Sequence, residues 1–409
     1  MSYRAPKGTE DVLPPDSRAW RRAERVFWDL AAVYGYEPIL IPVFEATELF
    51  ARGVGETTEV VEKQMYTFAD KGGRSLTLRP EFTAGIVRAH IQAGGVETTA
   101  KTAAFGAAFR YERPQKGRNR QFYQADIEYF GEEAAAADVE AIEFGYRYLL
   151  EIGVGAPGVV LNSIGDAADR AHYRVLLSEW LTERADQLAP EARDRIASNP
   201  LRVLDSKADA AIVTAAPAPA DHLGEAAAEH FAAVRAGLER RGIPYELDPR
   251  LVRGLDYYNR TVWEYVAAGY DAAQSSLGGG GRYDPLFETL GGKPTPGVGL
   301  AMGIDRILLA AEQNAEHALD VFVVVADQEL AEEAEALVAE LRSAGLRTDQ
   351  DRGLRSVKAQ FRAADRRDAR TAVIVGEEWT GGTVTIRDLM SGDQDVITRQ
   401  EIDTWVKAH

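Results

Sequence analysis

Cysteine is missing from all 409 residues. Its absence excludes disulfides and every thiolate metal site, and it accords with a reducing compartment. Long apolar runs are missing too: none approaches the ~18 residues of a membrane-spanning helix. The N-terminus, Met1-Ser2-Tyr3-Arg4-Ala5-Pro6-Lys7-Gly8, has no apolar core of a secretory signal. A cytoplasmic protein with no membrane partner is the expectation. Neither a repeat of fixed period nor a low-complexity tail is present. Positive charge is in short supply, with 47 Lys and Arg against 64 Asp and Glu and a net charge of −17. Global charge governs solubility and leaves local basic patches open, so the question becomes where the cations gather.

They gather in two islands. Residues 110–120 hold five basic side chains (Arg110, Arg113, Lys116, Arg118, Arg120) and one acid, Glu112. Residues 352–370 hold seven basic side chains against Asp365 and Asp368. The rest is ordinary: 45% hydrophobic and 27% charged residues describe a globular protein, and the length suits two or three domains.

Apolar spacing predicts helices over 17–34, 82–91 and 138–152, the first closed by Gly35. Tyr36–Pro42 reads as a strand bounded by prolines, 64–68 and 75–79 as a hairpin, and Ala103–Arg110 with Gln121–Tyr129 as a long hairpin carrying the first basic island. The alanine-rich stretch from about 168 to 240 reads as a helical insertion. Strand-like text resumes at 251–267 and 273–277, followed by dense glycine at 278–281 and 297–303 and a helix from Ile304. A change of composition near 314–319 marks a linker. Beyond it, strands (321–325, 371–375) alternate with helices (328–344, 357–367). The expected fold is therefore an α+β domain over 1–318, built on an antiparallel sheet, and a small α/β domain over 320–409.

A basic hairpin tip alone is usually just a solvated loop, and glycines before a helix often only permit tight packing. Three segments in this order say more: Gly35–Pro42, Phe109-Arg110-Tyr111-Glu112-Arg113 running to Phe122, and Gly297–Gly303 followed by Ile304-Asp305-Arg306. They resemble motifs 1, 2 and 3 of the class II aminoacyl-tRNA synthetases. Further words narrow the resemblance: Leu76–Glu81, Arg113–Arg118, Gln121–Gln124, Arg253-Gly254-Leu255-Asp256-Tyr257-Tyr258, Gly279–Asp284, Lys7–Asp11 and Val203–Lys207. Together they look like the histidyl-tRNA synthetase family, over nearly the whole chain.

The resemblance implies a two-step reaction: activation of L-histidine by ATP, with Mg²⁺ arriving on the nucleotide, then transfer to the 3′ end of tRNA(His) by a homodimer. No resident structural metal is implied. Arg110 and Arg253 correspond to the catalytic arginines at the α-phosphate, and Arg118 and Arg306 to ligands of the outer phosphates. Glu112 and Phe122 correspond to the adenine contacts. Glu81, Thr83 and Gln124 correspond to ligands of the α-ammonium group. Glu128 and Tyr258 correspond to the pair that brackets the imidazole, with Arg253 and Tyr257 also in the histidine site. A neutral imidazole has one donor and one acceptor nitrogen, so a carboxylate and a hydroxyl can read both. Taken alone, Glu128 could equally be a structural ion pair and the two tyrosines core; on a strand, only one of two neighbours faces a ligand. Arg113, Gln115 and Arg120 are candidates for the tRNA acceptor end, with Arg113 and Gln115 as readers of an extra 5′ guanosine.

The C-terminal part resembles an anticodon-binding domain. Arg355, Lys358, Arg362, Arg366 and Arg370 fall at steps of 3 and 4, one face of a helix if the helix reaches that far. Such a stripe suits phosphate binding; a solvated face balanced by Asp365 and Asp368 is the alternative. The sequence departs from the family pattern at Asn119, where an aromatic is common, at Tyr123, where histidine is common, and at Asp305, where glutamate is frequent. Rival readings are a histidine-binding regulatory relative, which loses the C-terminal domain and the arginines, and a synthetase for threonine, proline or glycine, which the Arg253–Tyr258 word disfavours.

Overall fold

Ala125 and Ile127 point to one side of their strand, and Gln124, Asp126 and Glu128 to the other. That alternation organises the main unit of the protein, seen here in a computed structural model. The structure describes residues 3–55, 58–204, 206, 208–251, 254–267, 276–312 and 317–408. The chain forms two compact units, Met1–Val12 with Trp20–Gln313, and Leu13–Ala19 with Asn314–His409.

In the first unit the strands are β1 (Glu37–Pro38), β2 (Phe44–Ala46), β3 (Tyr66–Ala69), β4 (Ser75–Leu78), β5 (Ala100–Phe109), β6 (Gln121–Phe130), β7 (Gly158–Ser163), β8 (Glu246–Leu247), β9 (Asn259–Val266), β10 (Ser276–Arg282) and β11 (Gly297–Gly303). Eight of them form one sheet in the order β1-β5-β6-β11-β10-β9-β7-β8. Its six inner strands pair antiparallel, and the two short edge strands pair parallel. One face carries Ala125, Ile127, Leu161, Trp263, Tyr265 and Met302 against helices Asp16–Val33, Ala135–Ile152 and Glu225–Arg240. Phe27 and Phe144 meet edge to face there, 5.9 Å apart. The opposite face carries the polar alternates of β6 and is bordered by helix Thr83–Gln92. β2, β4 and β3 form a separate small sheet.

The strand expected at Tyr36–Pro42 shrinks to Glu37–Pro38, since prolines at 38 and 42 have no N–H to offer a ladder. The glycine-rich words at 278–281 and 297–303 are strands, and large neighbours fill the space their missing side chains leave. A Cβ at Gly281 would stand 2.6 Å from the Tyr258 ring, and one at Gly278 would stand 2.8 Å from Met302. The alanine-rich stretch also divides. Tyr173, Leu177, Leu181, Ala192, Val203 and Val213 make a core of their own. Helix Glu225–Arg240 instead sends Phe231, Val234 and Leu238 into the main core, with Gly237 letting it press against Val139.

The second unit is a five-stranded sheet of β12 (Leu319–Val325), β13 (Thr348–Gln350), β14 (Ala369–Val375), β15 (Thr383–Asp388) and β16 (Gln394–Thr398). The order is β13-β12-β14-β15-β16, with the first three parallel and the last two antiparallel. The antiparallel pair, which apolar spacing does not predict, turns at Gly392, where φ is +82°. The basic stripe is shorter than its spacing suggests. The helix runs Val357–Arg366, so Lys358, Arg362 and Arg366 share it. Arg355 precedes it and pairs with Asp351 at 2.7 Å, while Arg370 lies on β14 and donates to the Val406 carbonyl. Among the described residues, no helix is long and apolar enough to cross a membrane.

Candidate active site

A cavity of about 410 Å³ opens on the polar face of the large sheet. Its walls come from β6, β9, β10 and β11, the loop Glu81–Thr83, the hairpin beyond Arg110, and the start of helix Ile304–Ala310.

One end is acidic. Glu128, on β6, is fully buried; Thr83 Oγ1 donates to its Oε1 at 2.5 Å and the Tyr283 hydroxyl donates to its Oε2. Burial, with the nearby Glu81 carboxylate adding to it, raises its pKa to about 8 against the pull of those two donors. Glu81 Oε1 accepts the Ala84 backbone N–H at 3.0 Å, while Glu81 Oε2 and Gln124 Oε1 are buried and have no partner among the described residues. Gly299 leaves bare backbone on the wall opposite Glu128, and Gly281, paired with it across β10 and β11, lies under Tyr258. A Cβ on Gly299 would overlap the Glu128 carboxylate.

Tyr257 and Tyr258 both line this end, their rings 4.6 Å apart. The expectation that only one could face a ligand fails because they sit in a turn before β9 begins at Asn259, where strand alternation does not apply. Tyr283 lines the cavity too, its ring 5.5 Å from Tyr257. It is pinned on both sides. Arg282, fully buried, bonds Asp138 at 2.5 Å and Asp284 at 3.1 Å, and Asp284 accepts from Asn259 at 3.0 Å. Tyr283 has no role predictable from sequence alone beyond its place in a motif; the glycines preceding it are the signal for a close approach.

The other end is cationic. Arg110 follows β5, donates to the Pro80 carbonyl at 2.8 Å and lies 5.2 Å from the Phe122 ring. Arg118 and Glu112 stand 3.6 Å apart. Arg306, in the first turn of its helix, donates to Ser276 O at 2.8 Å and Gly117 O at 3.2 Å. Burial first, then the neighbouring Arg118, lower its pKa against the smaller opposing pull of Glu112 and Glu264, as expected where cations crowd one wall. Glu264 and Asn119 also line this end, and the sequence does not mark them as ligands.

Arg113 and Gln115 are exposed beyond the cavity, on a hairpin tip closed by the Gln115–Arg118 bridge. Arg120 turns inward instead: its guanidinium covers Tyr111 at 3.8 Å and its Nε donates to Glu112 O at 3.2 Å. Arg253 lies outside the described residues, as do Asp205 and Lys207 of the insertion word.

Comparison with known proteins gives a consistent result. A family model described as histidyl-tRNA synthetase matches residues 8–307, and one described as anticodon binding domain matches 320–409. The chain is 44% identical over 412 residues to a histidine–tRNA ligase of Desulforudis audaxviator, covering 98% of each. It is 44% identical to that of Corynebacterium urealyticum, covering 98% of this chain and 96% of the relative. Among solved structures, apo S. aureus histidyl-tRNA synthetase superposes with a TM-score of 0.77 at 34% identity, over 99% of this chain and 100% of that one.

Proposed function

The chain belongs to the histidyl-tRNA synthetase family, and on that premise we propose how its cavity joins L-histidine to ATP and then to the 3′ end of tRNA(His). The observation that carries the reading is one shared space: Arg110, Arg118 and Arg306 open onto the cavity that Glu81 and Tyr258 also line, with Glu128 bonded to the wall residues Thr83 and Tyr283.

In the first step an oxygen of the histidine carboxylate attacks the α-phosphorus of ATP, and the bond to pyrophosphate breaks. Both reactants are anionic, so fixed positive charge must stand where the five-coordinate phosphorus forms. Arg110 and Arg253 take that place; Arg118 and Arg306 hold the outer phosphates, with Mg²⁺ entering as part of the nucleotide substrate. Glu112 and Phe122 receive the adenine. Glu81, Thr83 and Gln124 bind the ammonium group, and the free acceptors on Glu81 and Gln124 support this. Glu128, Tyr257 and Tyr258 select the imidazole. A pocket of paired polar contacts can reject analogues that lack them by ~10⁴-fold or more.

In the second step a hydroxyl of the terminal tRNA ribose attacks the carbonyl carbon of the adenylate, and AMP leaves. Arg113, Gln115 and Arg120 serve the acceptor end. Residues 320–409 bind the anticodon through Lys358, Arg362 and Arg366 with Arg355 beside them, and residues 1–318 carry the catalysis. The working form is a cytoplasmic homodimer. Leu40, Val43, Phe44 and Phe68 stay exposed and offer an apolar patch for the second copy.

Histidine-dependent ATP–pyrophosphate exchange tests the reading. Wild type should exchange with histidine alone among the amino acids, and Arg253→Ala should lose exchange while still binding histidine. Absence of histidine-dependent exchange in the wild type would overturn the proposal.

A further inference from the structure

Glu81 lines the amino-acid end of the cavity, and two further carboxylates, Asp126 and Glu128, are fully buried within reach of its charge, with too few donors to keep all three ionised. Asp126 and Glu128 sit two residues apart on the same face of β6, and Glu81 reaches them from the loop before helix Thr83–Gln92. Asp126 is fully buried, and neither of its oxygens has a partner among the described residues. The charged groups facing it are Glu128 from its own strand, Glu81 and Arg79 from the loop after β4, and Arg110 from the end of β5.

Neither arginine supplies a hydrogen bond to it. Arg79 donates from Nε to Ala107 O at 2.9 Å and from Nη1 to Ile41 O at 3.1 Å, and its guanidinium lies 3.9 Å over Phe82. Arg110 spends its Nε on Pro80 O. Like charges that are buried and coupled in this way do not all ionise together. Burial and like-charge repulsion accordingly hold Asp126 well above the usual carboxylate range, and burial raises Glu81 in the same direction.

We propose that the empty pocket stores a proton within the Glu81–Asp126–Glu128 cluster and that the ammonium group of the incoming amino acid expels it, making binding an exchange of one cation for another. The inference rests on the reading of this end as the histidine subsite. No covalent bond changes within the amino acid: the ammonium keeps its three protons and meets the waiting acceptors Glu81 Oε2 and Gln124 Oε1. Its positive charge removes the repulsion that held the stored proton, which passes to buffer. By linkage, affinity for histidine rises with pH while the empty cluster is still protonated.

Titration calorimetry of the full chain with L-histidine, without ATP, tests this at about pH 7.5, where free imidazole is mostly neutral. Phosphate and Tris buffers differ in heat of ionisation, so the slope of the observed enthalpy against that heat counts protons. The expected result is net release of about half to one proton per site. Asp126→Asn should cut the release at least by half and leave the melting temperature unchanged or higher, since it removes a buried, unbonded carboxyl. Binding with no release, or with uptake, would overturn the inference and leave the histidine subsite standing; no histidine binding at all would remove both. A melting temperature that falls in Asp126→Asn would show a structural partner for Asp126 and also count against it.

Discussion

The Thr83 hydroxyl donates a hydrogen bond to Glu128 at 2.5 Å, tying the first turn of helix Thr83–Gln92 to β6. The bond holds the carboxylate proposed to read the imidazole and favours its ionised form. Thr83→Val keeps the shape and removes the donor. Leaving a buried acceptor short of a partner costs ~1–3 kcal/mol, so the KM for histidine should rise by roughly 10- to 100-fold with the KM for ATP little changed. The acid limb of kcat/KM for histidine should also move to higher pH, because removing a donor raises the Glu128 pKa further. Initial-rate kinetics across pH decide this, and an equal rise in both KM values would count against it.

Glu128 also ties folding stability to pH. Its pKa stands at about 8 in the folded protein against an ordinary 4.5. Between those values the folded state binds more protons than the unfolded one, so stability falls as pH rises. The contribution is complete below about pH 4.5 and is lost as pH passes through about 8. In Glu128→Gln, the melting temperature of the ligand-free protein should therefore fall less between about pH 5 and about pH 8 than in wild type. Parallel profiles would rule the assignment out.

Gly299 is a position where a single methyl should harm the site directly. It faces Glu128 across β6 and β11, and its Cβ would fall on the carboxylate. Gly299→Ala should lose histidine activation by ~100-fold or more, as misplaced catalytic geometry does, and lose ~1–3 kcal/mol of stability through overpacking. Gly303, at the other end of the same strand, has more room: a Cβ there would meet Leu277 O at 3.6 Å, an ordinary van der Waals separation. Gly303→Ala should melt close to wild type. Chemical denaturation of both variants checks the contrast.

Much of this is legible in the sequence because periodicity reports burial. The helices near 17–34, 82–91 and 138–152 need only their apolar spacing, and the arginine words at Arg110–Arg118 and Arg306 open onto one cavity. What stays hidden depends on neighbours that sequence spacing cannot supply. The dense glycine of 278–281 gives no strand signal, because nothing local says that Trp263, Tyr258 and Met302 fill the absent side chains. Strand alternation would turn one of Tyr257 and Tyr258 away from the ligand, and the turn they occupy suspends that rule. Helix Glu225–Arg240 resembles part of the insertion, since its alanines match that composition; only its packing reassigns it. Arg370 keeps the helical step although the chain has already entered β14.

The basic stripe offers a test on the second unit. Lys358, Arg362 and Arg366 share one helix, whereas Arg355 is engaged by Asp351. Each cation withdrawn from a phosphate should flatten the salt dependence of tRNA binding by ~0.7–0.9 in the log–log slope. Changing all three to alanine should therefore weaken tRNA(His) binding at low salt and leave pyrophosphate exchange untouched. Filter binding from about 50 to about 300 mM salt measures the slope; an unchanged slope would assign the anticodon interaction elsewhere.

The three positions that depart from the family pattern meet in space, and their meeting makes the sharpest prediction about ATP. Asn119 Nδ2 lies 3.4 Å from Glu10 Oε2 and 3.4 Å from Asp305 Oδ1, and Asp305 Oδ2 accepts the Tyr123 N–H at 3.0 Å. Gly8 O accepts the Arg120 N–H at 2.7 Å, so the N-terminal segment is laid along the same hairpin. One amide thus joins two carboxylates that would otherwise repel, and in doing so it holds the Arg118 hairpin to the helix that carries Arg306. Asn119→Asp replaces that donor with a third negative charge. The hairpin should then separate from the helix, and the spacing of the two arginines for the outer phosphates should be lost. The KM for ATP should rise about 10-fold, the cost of one charge-assisted interaction of ~1.4 kcal/mol, while the KM for histidine stays near wild type. Because the repulsion acts between partly exposed groups, raising the salt should recover part of the loss. A rise in the histidine KM of the same size, or no response to salt, would mean that Asn119 acts on the site by some other route.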